Sequence, residues 1–583
     1  MFIRFCFAGV MFLGAAPLVL GQPPAKLKKP NVIVIVTDDQ GYGDLGFHGN
    51  PKIRTPNLDK FARQSLRMKY FYVSPVCSPT RASLMTGRYN YRTGIVDTFV
   101  GRSLMHADEV TLAELLRALG YRTGIFGKWH LGDNYPLRAM DQGFQESLVL
   151  RGGGIGQPSD PPGGESYFNP ILQRNGKATR KEGYCSDIFT DAALDFISKN
   201  KDSPFLCYLA FNCPHTPLQV PEKYYQMYKD KLQMDQFPKV GRPIEGKVNL
   251  DDMAKIYGMI TNIDDNLGRL FAKLDELGIA DDTIVIFMTD NGPQQARYNG
   301  GLRGRKGTVF EGGTRVPFFV RWPAQLPKDR DINRIAAHID VTPTLVEACG
   351  GSVPKDRQID GKNLLPLWKG EKIDWPDRSL FFQWHRGDVP ELYRACAVRT
   401  QRYRLVQPDG VQENSKFDKT KFMLFDIESD PYELKDLADQ RPEMVAKLKK
   451  QYEEWFKDVE STRKFAPPRI VIGSDQENPT ILTRQDWRGP KAGWTPKSVG
   501  HWELQVEKES VFEFVATLPG PATKGSVLHL RLGDHKYTKQ IGANDTTAFI
   551  RGIDLPAGHL RLEAWVADGD AVRGMRFVEI RRE

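Results

Sequence analysis

The chain has 583 residues, of which 40% are hydrophobic and 26% charged, and it carries a formal net charge of +9. This length and apolar content exclude a disordered or fibrous chain and supply enough material for roughly two to four domains. The basic balance admits an acidic partner, but cations and acids are interleaved throughout and no nucleic-acid module is recognisable. Ordinary solvated surface and attraction to a polyanionic substrate are the readings left.

In chain order, Met1 to Leu20 holds Arg4, then a nearly unbroken apolar stretch, and Gly21-Gln22 opens a Pro/Lys-rich segment. This pattern predicts a secretory signal peptide over residues 1–21 and a periplasmic or secreted mature protein. The run is short for a membrane span, and no later segment approaches the required length. Asn31 then opens a run that is continuously apolar from Val32 to Val36 and closes through Thr37 on Asp38-Asp39. Such a run reads as a strand buried on both faces of a parallel sheet.

Next comes Cys77-Ser78-Pro79-Thr80-Arg81, continuing as Ala82-Ser83-Leu84-Met85-Thr86-Gly87-Arg88. Pro79 suits the first turn of a helix, which puts Cys77 at a helix N-terminus, where backbone donors favour an anion. Arg81, four residues on, shares the helical face of position 77. Helical periodicity follows over Thr111–Leu119, Cys185–Ser198 and Asp252–Leu277, and strands are predicted over Pro204–Phe211 and Thr283–Asp290. Alternating strands and helices imply an α/β domain over residues 30–374, with helices on both faces of a large, mostly parallel sheet. Ligands gather at the carboxyl ends of such strands, and each of these strands is followed by a polar motif. Asp290-Asn291-Gly292 and Pro214-His215-Thr216-Pro217 are two of them. The runs Gly120 to His130 and Gly304 to Gly313 contribute Lys128, His130 and Lys306. In an extended segment Lys128 and His130 point to one side. Arg151, Gly152 to Gly154 and Gly156, with His106, Trp384 and His385, are candidates for a pocket mouth.

From about Trp375 the character changes to short strands at 380–384, 395–399, 403–406 and 422–426, and a helix over 444–456, predicting a small antiparallel sheet subdomain over residues 375–463. Residues 467–583 alternate with period two between turn residues, which indicates an appended β-sandwich. This tail holds no acid/base or metal constellation, so it is expected to lie outside the chemistry. Trp487, Trp494, Trp502 and Trp565 then serve as sandwich core or, secondarily, as sugar-stacking faces. Of the seven cysteines, Cys6 leaves with the signal, and no C-x-x-C or Cys/His zinc spacing occurs. Cys185, Cys207, Cys213, Cys349 and Cys396 read as mostly free and buried in an exported protein that does not depend on disulfides.

Singly, these features have plainer readings: a core thiol, a pair of turn acids, a histidine in a tight turn. Together, the run from Cys77 to Arg88, the run from Gly120 to His130 and the two acidic strand ends resemble the type I sulfatases of the alkaline phosphatase superfamily, bacterial secreted arylsulfatases and polysaccharide sulfatases among them. The resemblance covers roughly residues 30 to 463. It implies the alkaline phosphatase-like fold and oxidation of Cys77 to formylglycine by a formylglycine-generating or maturase enzyme. It also implies one Ca²⁺ per chain held by Asp38, Asp39, Asp290 and Asn291 beside residue 77. The hydrated aldehyde attacks sulfur with one hydroxyl, and the second lets sulfate leave by elimination. Arg81 would face a sulfate oxygen or the nucleophile, and Lys128 a sulfate oxygen. His130 would take the gem-diol proton, and His215 and Lys306 would serve the bridging oxygen. No histidine set for a second metal is evident beside the carboxylates. The implied activity is removal of sulfate from a sulfated carbohydrate. Phosphate or phosphonate ester hydrolysis on the same fold, or an inactive sulfated-glycan-binding protein, are the alternatives.

Overall fold

The computed structural model describes residues 1–3 and 29–583, so the segment read as a signal peptide falls almost wholly outside the described residues. Among the described residues no helix is long and apolar enough to cross a membrane.

The central sheet has ten strands: β1 (Asn31–Thr37), β2 (Leu66–Tyr72), β3 (Arg122–Lys128), β4 (Glu146–Leu150), β5 (Ile171–Arg174), β6 (Lys177–Arg180), β7 (Phe205–Ala210), β8 (Thr283–Thr289), β9 (Phe318–Arg321) and β10 (Arg330–Ala337). Their spatial order is β10-β2-β9-β8-β1-β7-β3-β4-β5-β6. The middle, β8-β1-β7-β3-β4, is entirely parallel. β9 and the β5–β6 edge run antiparallel to their neighbours. Successive side chains of a strand point to opposite faces, and β1 displays this directly. Val32, Val34 and Val36 join one hydrophobic cluster, while Ile33 and Ile35 join the other. The first cluster packs the helices Cys77–Thr86, Leu112–Ala118 and Val341–Ala348; the second packs Pro56–Arg63, Cys185–Asn200 and Leu250–Glu276. A strand covered by helices on both faces must be apolar at every position, which is why β1, β7 and β8 read as unbroken hydrophobic runs. Local signals start two of the helices. Thr111 and Glu114 form a capping box, and the Asn249 side chain accepts from the backbone N–H groups of Asp251 and Asp252.

Four further antiparallel strands, β11 (Leu380–Gln383), β12 (Cys396–Arg399), β13 (Tyr403–Gln407) and β14 (Met423–Asp426), form a separate sheet under the helix Pro442–Arg463. That helix runs well beyond the predicted 444–456. From Ile470 onward two sheets, of six and four strands, enclose their own core around Trp487, Trp502, Leu504, Phe512 and Leu530. The same core takes in Val100, Leu104 and Leu137 from the α/β part. The six cysteines among the described residues are all free and buried.

Candidate active site

The register of the parallel strands assembles the site. Thr37 lies opposite Thr289, so the two acidic pairs that follow, Asp38-Asp39 and Asp290-Asn291, emerge side by side. Gly127 lies opposite Ala210 on the other flank of β7, which brings Lys128 and the segment carrying His215 to the same sheet edge. β3 can approach so closely only because residue 127 is glycine: a Cβ there would stand 1.8 Å from the Ala210 carbonyl oxygen. The loop at Gly153 is similarly constrained, since a Cβ there would meet the His130 ring at 2.6 Å. Asp39 and His130 both adopt φ of +61°, an uncommon conformation for residues other than glycine and one that clusters at functional sites.

Cys77 opens the helix Cys77–Thr86 at 2% exposure, and Val76 ahead of it is extended. Burial pushes its thiol above the usual range, although Lys128 and Lys306 pull the other way. Around it three acids meet three cations. Lys128 Nζ donates to Asp38 Oδ2 at 2.6 Å, Lys306 Nζ lies 2.6 Å from Asp39 Oδ1, and Arg81 Nη2 donates to Asp290 Oδ2 at 2.7 Å. Asn291 Nδ2 also donates to Asp39 Oδ1 at 2.7 Å. Burial raises the Asp39 carboxyl, but Lys306 and then His215 outweigh it and hold the group well below the usual carboxylate range. Asp290 is raised to about 6, by burial first and by Asp38 second.

For Arg81 the expectation is a sulfate oxygen or the nucleophile; its hydrogen-bond partners in the structure are groups of the chain itself. Its guanidinium is fully buried, spans Asp290 and the Lys128 carbonyl oxygen, and so orients a carboxylate and a strand end rather than facing the cleft. Nor is the carboxylate cluster free of histidine: His215 Nε2 lies 3.8 Å from Asp39 Oδ2. One imidazole does not make the nitrogen-rich donor set of a two-zinc centre.

The two histidines are held in defined tautomers. His215 Nδ1 donates to the Thr216 carbonyl oxygen at 2.6 Å, and burial, then Lys306, depress its ring to about 3. His130 Nε2 donates to the Thr98 carbonyl oxygen at 2.7 Å, which leaves Nδ1 as the basic nitrogen, buried and without a partner.

Several carboxyl and amide oxygens here are buried and lack a hydrogen-bond partner: Asp38 Oδ1, Asp39 Oδ2 and Asn291 Oδ1. Each such orphan costs about 1–3 kcal/mol unless something answers it. Asp38, Asp39 and His215 offer donor atoms within 4.8 Å of one another, as do Asp38, Cys77 and Asp290. Clustered, unanswered oxygens of this kind fit a hard divalent cation.

Cys77, His130, His215 and Lys306 open into one cleft of about 850 Å³. Of the expected mouth residues, Gly153, Gly156 and Trp384 line it, and so does Arg305. Arg151 turns away toward Asp133 and the Ile481 carbonyl oxygen. His106 donates to the Ala466 carbonyl oxygen and His385 to that of Arg386. Arg303 stacks over Phe310.

Sequence reasoning missed the loop 97–104 and what grips it. Thr98 supplies the carbonyl that holds His130, and that oxygen also accepts from Gln485 Nε2 at 3.0 Å. Gly101 N donates to the Gln485 carbonyl oxygen at 2.8 Å, while Arg488 Nη1 donates to that of Gly101 at 2.6 Å. Trp494 lines the cleft itself. The tail therefore reaches the site, through Gln485 on the Thr98 carbonyl and through Trp494 at the cleft.

Comparison with known proteins places this arrangement. The Sulfatase family model matches residues 30–351, and a model described as N-sulphoglucosamine sulphohydrolase, C-terminal, matches residues 305–459. N-acetylgalactosamine-6-sulfatase of Mus musculus is 31% identical over 401 residues, covering 63% of this chain and 71% of that protein. Arylsulfatase A of Homo sapiens is 30% identical over 510 residues, covering 79% and 94%. The crystal structure of Ps i-CgsB in complex with k-i-k-neocarrahexaose superposes with a TM-score of 0.64 at 28% identity, covering 76% of this chain and 94% of that one. The chain belongs to the sulfatase family and is a sulfuric ester hydrolase.

Proposed function

We propose that the chain removes sulfate from a sulfated carbohydrate with residue 77 as formylglycine and one Ca²⁺ beside it. The observation that carries this reading is the buried meeting of Cys77 with three carboxylates and three cations at the floor of a cleft large enough for a sugar. Relatives named for sulfated sugars support the substrate class. Residues 30–374 make the catalytic domain in this reading, 375–463 a sheet subdomain and 467–583 an accessory sandwich. The sequence pattern of residues 1–21 supports export, and a formylglycine-generating or maturase enzyme is the partner that conversion of Cys77 requires.

Formylglycine would supply, as a hydrated aldehyde, one hydroxyl to attack sulfur and a second whose deprotonation expels sulfate. Asp38, Asp39, Asp290 and Asn291 would hold the calcium ion, whose charge draws the sulfate group into place. The acids and cations of the site balance one another, so a bound divalent cation leaves a positive surplus for the anionic ester to answer. Lys128, its ammonium buried on Asp38, would bind a sulfate oxygen. His130 takes a proton at Nδ1, because Thr98 occupies Nε2. His215 and Lys306 face the ester oxygen and serve the departing alcohol. Arg81 keeps Asp290 oriented.

Paired rates on matched aryl sulfate and aryl phosphonate esters test the reaction class: sulfate is expected to turn over the faster, and a phosphonate preference contradicts the proposal. A desulfation screen across carrageenan, ulvan, fucoidan and glycosaminoglycan oligosaccharides tests the substrate class, with free sulfate as readout. Elemental analysis is expected to find one calcium per chain. Chelation should lower the rate at least about tenfold, reversibly on adding Ca²⁺, and lower stability by about 3 kcal/mol relative to calcium at a hundred times its Kd. Full activity in protein verified as metal-free contradicts the metal assignment.

A further inference from the structure

The four tail tryptophans have separate fates in the structure. Trp487 and Trp502 are fully buried in the sandwich core, and Trp565 stacks on His529. Trp494 is different: half-buried, it lines the catalytic cleft and meets the Phe99 ring edge-on at 5.4 Å. Its indole N–H is buried without a partner. Arg386 extends the same wall. Its guanidinium lies 4.4 Å from the Phe99 ring centroid and 4.9 Å from that of Trp384, and its Nη1 donates to Asp97 at 2.7 Å. Asp97 is fully buried and also accepts from Trp384 Nε1, so the cation is fixed by its neighbours while remaining 30% exposed.

We propose that Trp494, Phe99 and Arg386 form a subsite for a second, anionic sugar ring of a sulfated oligosaccharide, with the C-terminal sandwich supplying one wall; this rests on reading the cleft as the sulfate-ester site. The chemistry matches on two counts. The C–H face of a pyranose is apolar and flat enough to cover an aromatic ring, and burying such area stabilises by about 25 cal/mol per Å². A guanidinium presented in a fixed plane suits a sulfate or carboxylate better than a mobile ammonium does. Size agrees as well, since about 850 Å³ lies toward the upper end of pockets that enclose a whole drug-sized ligand, more than a single sulfate group needs. The wall is assembled from three parts of the chain: the α/β domain gives Phe99, the small sheet subdomain Arg386 and the sandwich Trp494.

The test compares kcat/KM on p-nitrophenyl sulfate with kcat/KM on sulfated tetrasaccharides from carrageenan and chondroitin sulfate, using wild type, Trp494→Ala and Trp494→Phe. The ratio of tetrasaccharide to aryl sulfate is expected to fall at least about tenfold in Trp494→Ala, mainly through KM, and to recover to within about threefold in Trp494→Phe. Circular dichroism of the variants checks that the sandwich is folded. An unchanged ratio in folded Trp494→Ala overturns the subsite. So does wild-type protein that cleaves the aryl ester and neither tetrasaccharide, an outcome that leaves the sulfate-ester reading standing. Wild-type protein inert on every substrate overturns the reading on which the subsite rests.

Discussion

Cys77→Ala is expected to lower kcat on p-nitrophenyl sulfate by about 10⁴-fold or more while leaving the fold intact. The side chain sits at the floor of the cleft, at the first position of its helix, with the donor atoms of Asp38 and Asp290 in the same cluster. Removing a covalent nucleophile leaves only binding and electrostatic assistance. The loss of one buried sulfur atom, by contrast, costs stability of only about 1 kcal/mol, because the cavity is small. Activity and melting temperature together check this. A variant that retains more than about a hundredth of the wild-type rate places the nucleophile elsewhere.

Deleting the sandwich is the second large effect. A chain ending near Thr462 is expected to lose activity even on a small aryl sulfate, by at least about tenfold per folded molecule. Three hydrogen bonds set this expectation. Gln485 Nε2 donates to the carbonyl that fixes the His130 tautomer, and Gln485 and Arg488 clamp Gly101 between them. Deletion also exposes Val100, Leu104 and Leu137, which complete the sandwich core from the other side. Since the shortened chain can fail for that reason alone, Gln485→Ala in the full chain isolates the positioning role. Loss of a buried hydrogen bond worth about 1–3 kcal/mol predicts a fall in kcat of about fivefold to a hundredfold with KM little moved. A soluble truncated chain with an unchanged rate overturns this and restores the tail to a purely accessory place.

The sequence made the middle of the sheet legible because burial on both faces demands continuous apolar runs, and β1, β7 and β8 have them. It also exposed the carboxyl-end motifs, since Asp38, Asp290 and His215 follow those runs directly. It did not reveal β2, β9 and β10. Leu66–Tyr72 mixes buried and exposed positions, and Phe318–Arg321 is only four residues long, so neither has a clear period. Arg81 lies four residues along the helix from Cys77, but spacing along a helix cannot say which partner a guanidinium takes when a buried carboxylate lies within reach. Thr98 and Gln485, and the place of Trp494 in the cleft, leave no mark in the sequence for another reason. Their roles come from a backbone carbonyl, one amide and the docking of a sandwich hundreds of positions away along the chain, none of which leaves a local pattern. The tryptophan-rich tail was the one available signal, and only the structure separates Trp494 from the core residues Trp487 and Trp502.

The proposed mechanism depends on the identity of residue 77 in working enzyme, and peptide mass spectrometry of active protein from a host able to modify it measures that directly. The peptide spanning Cys77 to Arg81 is expected to carry the aldehyde in place of the thiol, with specific activity rising in proportion to the converted fraction across preparations. Fully active protein in which that peptide holds only unmodified cysteine would contradict the mechanism.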